Sequence, residues 1–189
     1  MSAPAAAMAE PLAAAIHAIS RGSDAEDVGV LGGGPMGLML ASLLLAQGRS
    51  VTLADSHRER RAQARELGAH GVERLAQHQL VFEAVGRPEA WRAALGAAAL
   101  GAVVVLVGGC PLGTEVELAP APIHYDELEL RGAFHHSRAE VDRALAVLAA
   151  GEVDWQALAG ETISLAQLPD ALAMPNGGRA RKWVVDPRM

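Results

Sequence analysis

The residues best suited to chemistry lie close together near the start of the chain. Gly32, Gly34 and Gly37 form G-x-G-x-x-G in Gly32-Gly33-Gly34-Pro35-Met36-Gly37, directly after the apolar run Val28–Leu31 and directly before the apolar run Leu38–Gln47. A strand, a glycine turn and a helix in that order can hold a dinucleotide pyrophosphate. Gly32 permits the tight turn, Gly34 lets backbone approach the phosphates, and Gly37 lets the helix sit close on the strand. The amides and positive dipole end of the helix then face the anion, with Pro35 and Met36 in the loop. Glycine turns are also common structural punctuation, so the pattern gains meaning from Asp55. This carboxylate ends the run Ser50–Ala54, about 20 residues on, where it can accept hydrogen bonds from an adenosine ribose. The competing reading of Asp55 is a helix N-cap or a solvated acid. Arg58 and Arg60 stand nearby, but Asp55 would repel a 2′-phosphate, so NAD is favoured over NADP.

Groups for acid–base or metal chemistry are sparse. His17, His57, His70 and His78 read as scattered surface or half-buried residues. His124 with Tyr125, and the pair His135-His136, are the candidates for proton transfer near the crevice; the pair is expected on a strand, pointing to opposite faces. Cys110 follows a central strand and reads as a small apolar residue. With one cysteine, no C-x-x-C and no H-E-x-x-H, no metal site is expected.

These residues need elements to position them, and the pattern supplies strands alternating with helices. The amino-terminal Met1–Met8 reads as frayed, and Glu10-Pro11-Leu12 opens a helix with Leu12, Ile16 and Ile19 on one face. A polar helix is expected over His57–Leu67, its charges on a solvated face, then a very short strand within Leu67–Val72 and a helical turn over Glu73–His78. Leu80–Val85 is a strand ending at Gly86, and Pro88 starts a helix running to Leu100. The run Gly101–Val107 has the continuous β-branched character of a central parallel strand. Further on come a strand over Glu127–Phe134, a helix over Glu140–Ala150, a strand over Thr162–Leu165, a helix over Leu168–Met174, a turn at Asn176-Gly177-Gly178 and a strand over Lys182–Val185. The fold class is α/β, a doubly wound parallel sheet (Rossmann fold) with a short α/β carboxyl-terminal extension. The expected division is 1–23 as tail and helix, 24–136 as dinucleotide-binding domain and 137–189 as an extension packed on it. The loops after Leu31, Ala54, Val85 and Val107 would line one crevice at the carboxyl ends of the strands.

Composition agrees with a globular chain. Of 189 residues, 51% are hydrophobic and 20% charged, while aromatics are only 3%, so the core must be built from Ala, Leu and Val. A formal net charge of -6 argues against nucleic acid, whose phosphates ask for a basic surface. No apolar run reaches the roughly 20 residues of a membrane span. The Ala-rich beginning lacks a basic leader and contains Glu10, so it does not read as a signal peptide, and a cytoplasmic protein is expected.

Several motifs in one order are similar to medium-chain, zinc-type alcohol dehydrogenases, in the polyol and threonine dehydrogenase branch. They are Glu10-Pro11-Leu12 with His17-Ala18, the glycine loop, Asp55, Leu67-Gly68-Ala69, Glu83-Ala84-Val85-Gly86, Val107-Gly108-Gly109, Asp126-Glu127-Leu128 with Gly132, and Gly178-x-x-x-Lys182. The resemblance covers residues 10–187. It implies that Val85, Gly86, Val107 and Gly108 contact the adenosine and nicotinamide parts of the cofactor. It also implies that Lys182 reaches the cofactor phosphates, with a solvated surface charge as the alternative. The family's GroES-like domain, which carries the zinc ligands, has no counterpart here, so a zinc role for Glu10 lapses and only the cofactor-binding half is expected. The stretch between Val72 and Leu80 is shorter than the family's crossover. The functions implied are hydride transfer on an alcohol or carbonyl substrate, without zinc or with a separate catalytic subunit, or a dinucleotide-binding module without turnover, or an inactive homologue. A homodimer through the edge strand is expected.

Overall fold

The computed structural model describes residues 1–174, 178–180 and 182–189. Its frame is a six-stranded, all-parallel sheet in the order β3-β2-β1-β4-β5-β6, formed by β1 (Asp27–Leu31), β2 (Ser50–Ala54), β3 (His70–Val72), β4 (His78–Glu83), β5 (Ala98–Leu106) and β6 (Glu129–Gly132). The expected doubly wound fold is therefore present. Strand order reverses between β1 and β4, and the loops that follow those two strands diverge over the crevice where such sheets take ligands.

Most of the helices stack on one face. α1 (Ala3–Ala7) leads into α2 (Ala9–Ser20), α3 (Pro35–Ala46) lies against β1 and β2, and α2 packs between α3 and α7 (Arg138–Ala150). α3 is buried from Gly37 to Leu44, which explains why it is apolar all round rather than on one stripe. Val28, Val30, Leu80, Phe82, Val103 and Val105 point into this layer with Leu12, Leu40 and Leu44. α4 (Arg58–Glu66) packs on β2 and β3. The other face is thinner, since Val81 and Val104 meet α5 (Pro88–Gly96) through Ala94, and Leu75 from the short crossover. Beyond α5 lie α6 (Pro120–Tyr125), α8 (Trp155–Leu158), a two-stranded sheet of β7 (Thr162–Ile163) with β8 (Val184–Val185), a 3-10 turn at Leu165–Gln167 and α9 (Leu168–Ala173).

Several expectations are corrected. Met1–Met8 is not frayed: Ser2 Oγ accepts from the Ala5 amide, Pro4 sits in the first turn of α1, and Met8 is 2% exposed. Alanine favours helix and buries without polar cost, which outweighs the small size of these residues. Glu73–His78 forms no helical turn; His78 begins β4 instead, its amide donating to the Ala97 carbonyl and its ring paired with Asp27 at 2.9 Å. The helix expected to reach Leu100 stops at Gly96, and β5 opens at Ala98. His78 pairs with Ala98 but Leu80 with Val103, so β5 carries a bulge, at which Gly101 adopts φ +70° and donates to the Asp126 carbonyl. Sheet pairing here overrides the helical preference of the Ala run. β6 is confined to Glu129–Gly132, so His135-His136 is not on a strand; Glu127 (φ 53°) and His135 (φ 60°) stand in the left-handed region on either side of it. The strand expected over Thr162–Leu165 shortens to two residues, as does that over Lys182–Val185. Asn176 and Gly177 of the expected turn lie outside the described residues. The helices α6 and α8 are not apparent from sequence pattern: α6 is six residues with two prolines, and α8 is a single turn of four.

Candidate functional site

The glycine loop closes by three contacts that the sequence order makes available. The Gly32 amide donates to the Ala54 carbonyl at 2.8 Å, which ties the loop to the end of β2. Gly33 donates to Asp55 Oδ2 at 2.8 Å. Gly37, in the first turn of α3, lies so close beneath the loop that a Cβ there would come within 1.8 Å of the Gly32 carbonyl oxygen. Any side chain would push helix from strand. Gly34 is the opposite case: it is the N-cap of α3, and a Cβ on it would meet nothing within 4 Å. The loop is thus tight where it packs and open where an anion would approach. The first-turn amides of α3 have no intrahelical partner and aim at that space.

Asp55 is nearly buried, and both its oxygens are engaged. Oδ2 takes the Gly33 amide and, at 3.4 Å, the Arg60 guanidinium; Oδ1 takes the His57 amide at 2.8 Å and the His57 ring at 2.9 Å. Burial pushes the carboxyl up, but the His57 and Gly33 amides, the His57 ring and Arg60 outweigh it and leave the pKa below the usual value. The carboxylate therefore joins the glycine loop to the start of α4 while standing at the end of β2. Arg61 donates to the carbonyls of Asp55 and Ser56 at 2.8 and 2.9 Å, so it braces the same turn. Sequence reasoning missed these braces; two arginines just inside a helix that follows an acid are the signal that pointed to them.

The second half of the crevice is formed by the loops after β4 and β5. Val85 is exposed and leans over the glycine loop, its Cγ2 lying 2.7 Å from where a Gly32 Cβ would be. Gly86 and Gly108 interlock, and Trp91 of α5 donates its indole N–H to the Gly108 carbonyl at 3.0 Å. Beneath them Glu83 is fully buried, with Oε1 accepting from the amides of Val85 and Gly86. The sequence reading used Glu83 only as part of a motif. An acidic residue closing the apolar run Leu80–Phe82 is the available signal.

The remaining candidates disperse. Gly32, Gly34, Pro35, Met36, Gly37, Asp55, Val85, Gly86, Val107 and Gly108 converge at the carboxyl end of the sheet. His124 and Tyr125 do not: they end α6, whose next residue, Asp126, bonds to Gly101 near the amino-terminal start of β5. Both are exposed there, ring against ring at 4.8 Å. His135 follows β6 at the carboxyl end, exposed and set edge-on to Phe134 with ring centroids 4.1 Å apart. Lys182 is exposed beyond the segment that Gln63 fastens to α4 through Ala180, and its carbonyl accepts from Gly160. Cys110 is half-buried in the loop after β5. Among the described residues, no group of three or more His, Cys, Asp or Glu side chains is placed to hold a metal. Nor is any helix among them long and apolar enough to cross a membrane.

Residues 35–150 match the family model described as zinc-binding dehydrogenase. A curated relative, 2-dehydro-3-deoxy-L-galactonate 5-dehydrogenase of Pseudoalteromonas atlantica, is 28% identical over 187 residues, covering 90% of this chain and 54% of its own length. A crystal structure from Sinorhizobium meliloti 1021, assigned as a zinc-binding dehydrogenase and bound to NADP, superposes with TM-score 0.87 at 28% identity, covering 96% of this chain and 58% of that one. L-idonate 5-dehydrogenase of Escherichia coli superposes with TM-score 0.78 at 26% identity over 89% of this chain and 52% of that one. The chain thus spans about half the length of these proteins.

Proposed function

We propose that this chain, which belongs to the zinc-binding dehydrogenase family, binds a nicotinamide dinucleotide and presents it for hydride transfer on an alcohol or carbonyl substrate. It has the dehydrogenase-like NAD(P)-binding domain of that family. The observation that carries the reading is the open face of Gly34 at the N-terminus of α3, beside a loop held shut by Asp55 and Gly37. In this reading the amides of Gly34, Met36 and Gly37 receive the pyrophosphate, Pro35 sets the first turn of the helix, and Lys182 adds a positive charge. Asp55 accepts from the adenosine ribose, and its negative charge favours NAD over NADP. Val85, Gly86, Val107 and Gly108 line the path of the second mononucleotide. Residues 24–136 act as the dinucleotide-binding domain and 137–189 as the extension that backs it. The bound dinucleotide supplies the hydride; this chain's residues fix its position and exclude water from one side of it.

The family's zinc has no donor set among the described residues, and polarising the substrate oxygen is assigned to a separate catalytic subunit or domain. His135 is an exposed ring at the carboxyl end of the sheet and the remaining candidate for proton transfer. A dinucleotide-binding module without turnover is the second reading. It is favoured by the state of the crevice carboxylates: Glu83 is fully buried and Asp55 is consumed in hydrogen bonds. A cytoplasmic homodimer, paired along β6, completes the proposal.

Titration of the purified chain with NADH and NADPH, followed by nicotinamide fluorescence, tests the shared part of both readings. Saturable binding of NADH tighter than that of NADPH is expected; binding of neither up to millimolar concentration removes both. NADH formation from secondary alcohols by the chain alone would remove the second.

A further inference from the structure

Glu83 is the last residue of β4, has no accessible surface, and stands in register with Leu31 of β1 and Leu106 of β5. Its side chain reaches forward: Oε1 accepts from the amides of Val85 at 2.7 Å and Gly86 at 2.9 Å. Its main-chain carbonyl accepts from the amides of Val107 and Gly108, both at 2.9 Å. One residue therefore fastens the loop after β4 and the loop after β5. The two loops are in contact above it, since a Cβ on Gly86 would lie 2.6 Å from the Gly109 carbonyl oxygen and one on Gly108 would lie 2.7 Å from Glu83 Oε2. Oε2 is buried and has no hydrogen-bond partner. An apolar side chain would avoid that desolvation cost, but it would leave two loop amides without an acceptor.

The strand order says which part of a ligand these loops meet. Dinucleotide sheets carry one mononucleotide on each side of the reversal point. Asp55, at the end of β2, marks the adenosine side, so the nicotinamide mononucleotide lies over β4, β5 and β6. We propose that Glu83 is a positioning residue for the nicotinamide half: it sets the spacing of the 84–86 and 107–109 loops, whose backbone faces that half, and does not itself touch the cofactor. This rests on the dinucleotide reading above.

The test compares a ligand that spans both halves with one confined to the adenosine half. NADH and AMP are titrated into the wild-type chain and into Glu83→Leu, Glu83→Asp and Glu83→Gln. Glu83→Leu removes the acceptor, and Glu83→Asp withdraws it by one methylene while keeping a carboxylate. Both are expected to weaken NADH about tenfold or more, the size of leaving buried amides without an acceptor, with AMP affinity unchanged. Unchanged AMP binding also certifies that the variant is folded, and Glu83→Asp carries the test if Glu83→Leu does not fold. Glu83→Gln keeps an acceptor oxygen and is expected to restore NADH affinity. Equal losses for NADH and AMP, or no loss of NADH, would overturn the role of Glu83 alone. A wild-type chain that binds AMP and NADH with the same affinity would overturn it too, while one that binds neither would remove the dinucleotide reading with it.

Discussion

At the scale of single residues, Asp55 serves two purposes that compete for one carboxylate. It holds the glycine loop through Gly33 and the start of α4 through His57, and in the proposed complex it also accepts from a ribose. Asp55→Ala is therefore expected to weaken NADH by roughly tenfold to a hundredfold, the range for a charged hydrogen bond, and to narrow the preference over NADPH; parallel titrations of both cofactors check this. The two crevice carboxylates also give opposite pH signatures. Asp55 has its pKa held below the ordinary 3.8, so the stability it contributes is present above that value and is lost as pH falls through the lower folded value. Glu83 is pushed up from 4.5 by burial against the pull of the Gly86 and Val85 amides. Its neutral form contributes stability that is present below 4.5 and lost as pH rises through the folded value. Urea unfolding between pH 3 and 7 is expected to show Asp55→Asn flattening the acid limb and Glu83→Gln flattening the opposite one.

At the scale of elements, α3 is the part on which the site depends, because its N-terminus faces the loop and its body is buried. Leu40 is 0% exposed among sheet and helix side chains, and Leu40→Ala is expected to cost about 2–5 kcal/mol in urea unfolding. α7 is specified from its ends. Ser137 and Glu140 form a capping box, Gly151 closes the helix at φ 69°, and Glu140 also takes the His17 ring at 2.8 Å, which links α7 to α2. The Ser137 amide and hydroxyl and the His17 ring pull the Glu140 carboxyl down to about 2. Ser137→Ala is expected to cost about 1 kcal/mol, with dinucleotide affinity unchanged, since α7 stands behind α2 rather than at the crevice.

At the scale of the molecule, β6 is an edge strand whose outer side is unpaired among the described residues, and edges of this kind are normally covered or paired. Tyr125 at 77% and Phe134 at 83% exposure flank it. Light scattering across micromolar concentrations is expected to show a dimer; a monomer throughout would contradict pairing along β6.

Much of this was legible in the sequence, for a physical reason. The glycine spacing, the apolar runs and the acid after the second strand are local patterns. Each is set by what the backbone must do within a few residues, so the sheet class, and the positions of the glycine turn after β1 and of Asp55 after β2, followed from residue order alone. Where local preference and long-range pairing disagree, only the tertiary structure decided. The Ala-rich segment around residues 97–100 reads as helix but is drawn into β5 by His78, and the first eight residues read as frayed but pack through Met8 against the core. The same holds for the position of polar groups. Nothing in the order of residues separates His124 and Tyr125 from the crevice, yet the turn at Asp126 anchors them at the opposite end of the sheet. Glu83 looked like one letter of a motif. Its place beneath two interlocked loops comes from three strands, β1, β4 and β5, brought into register, and that information exists only once the chain is folded.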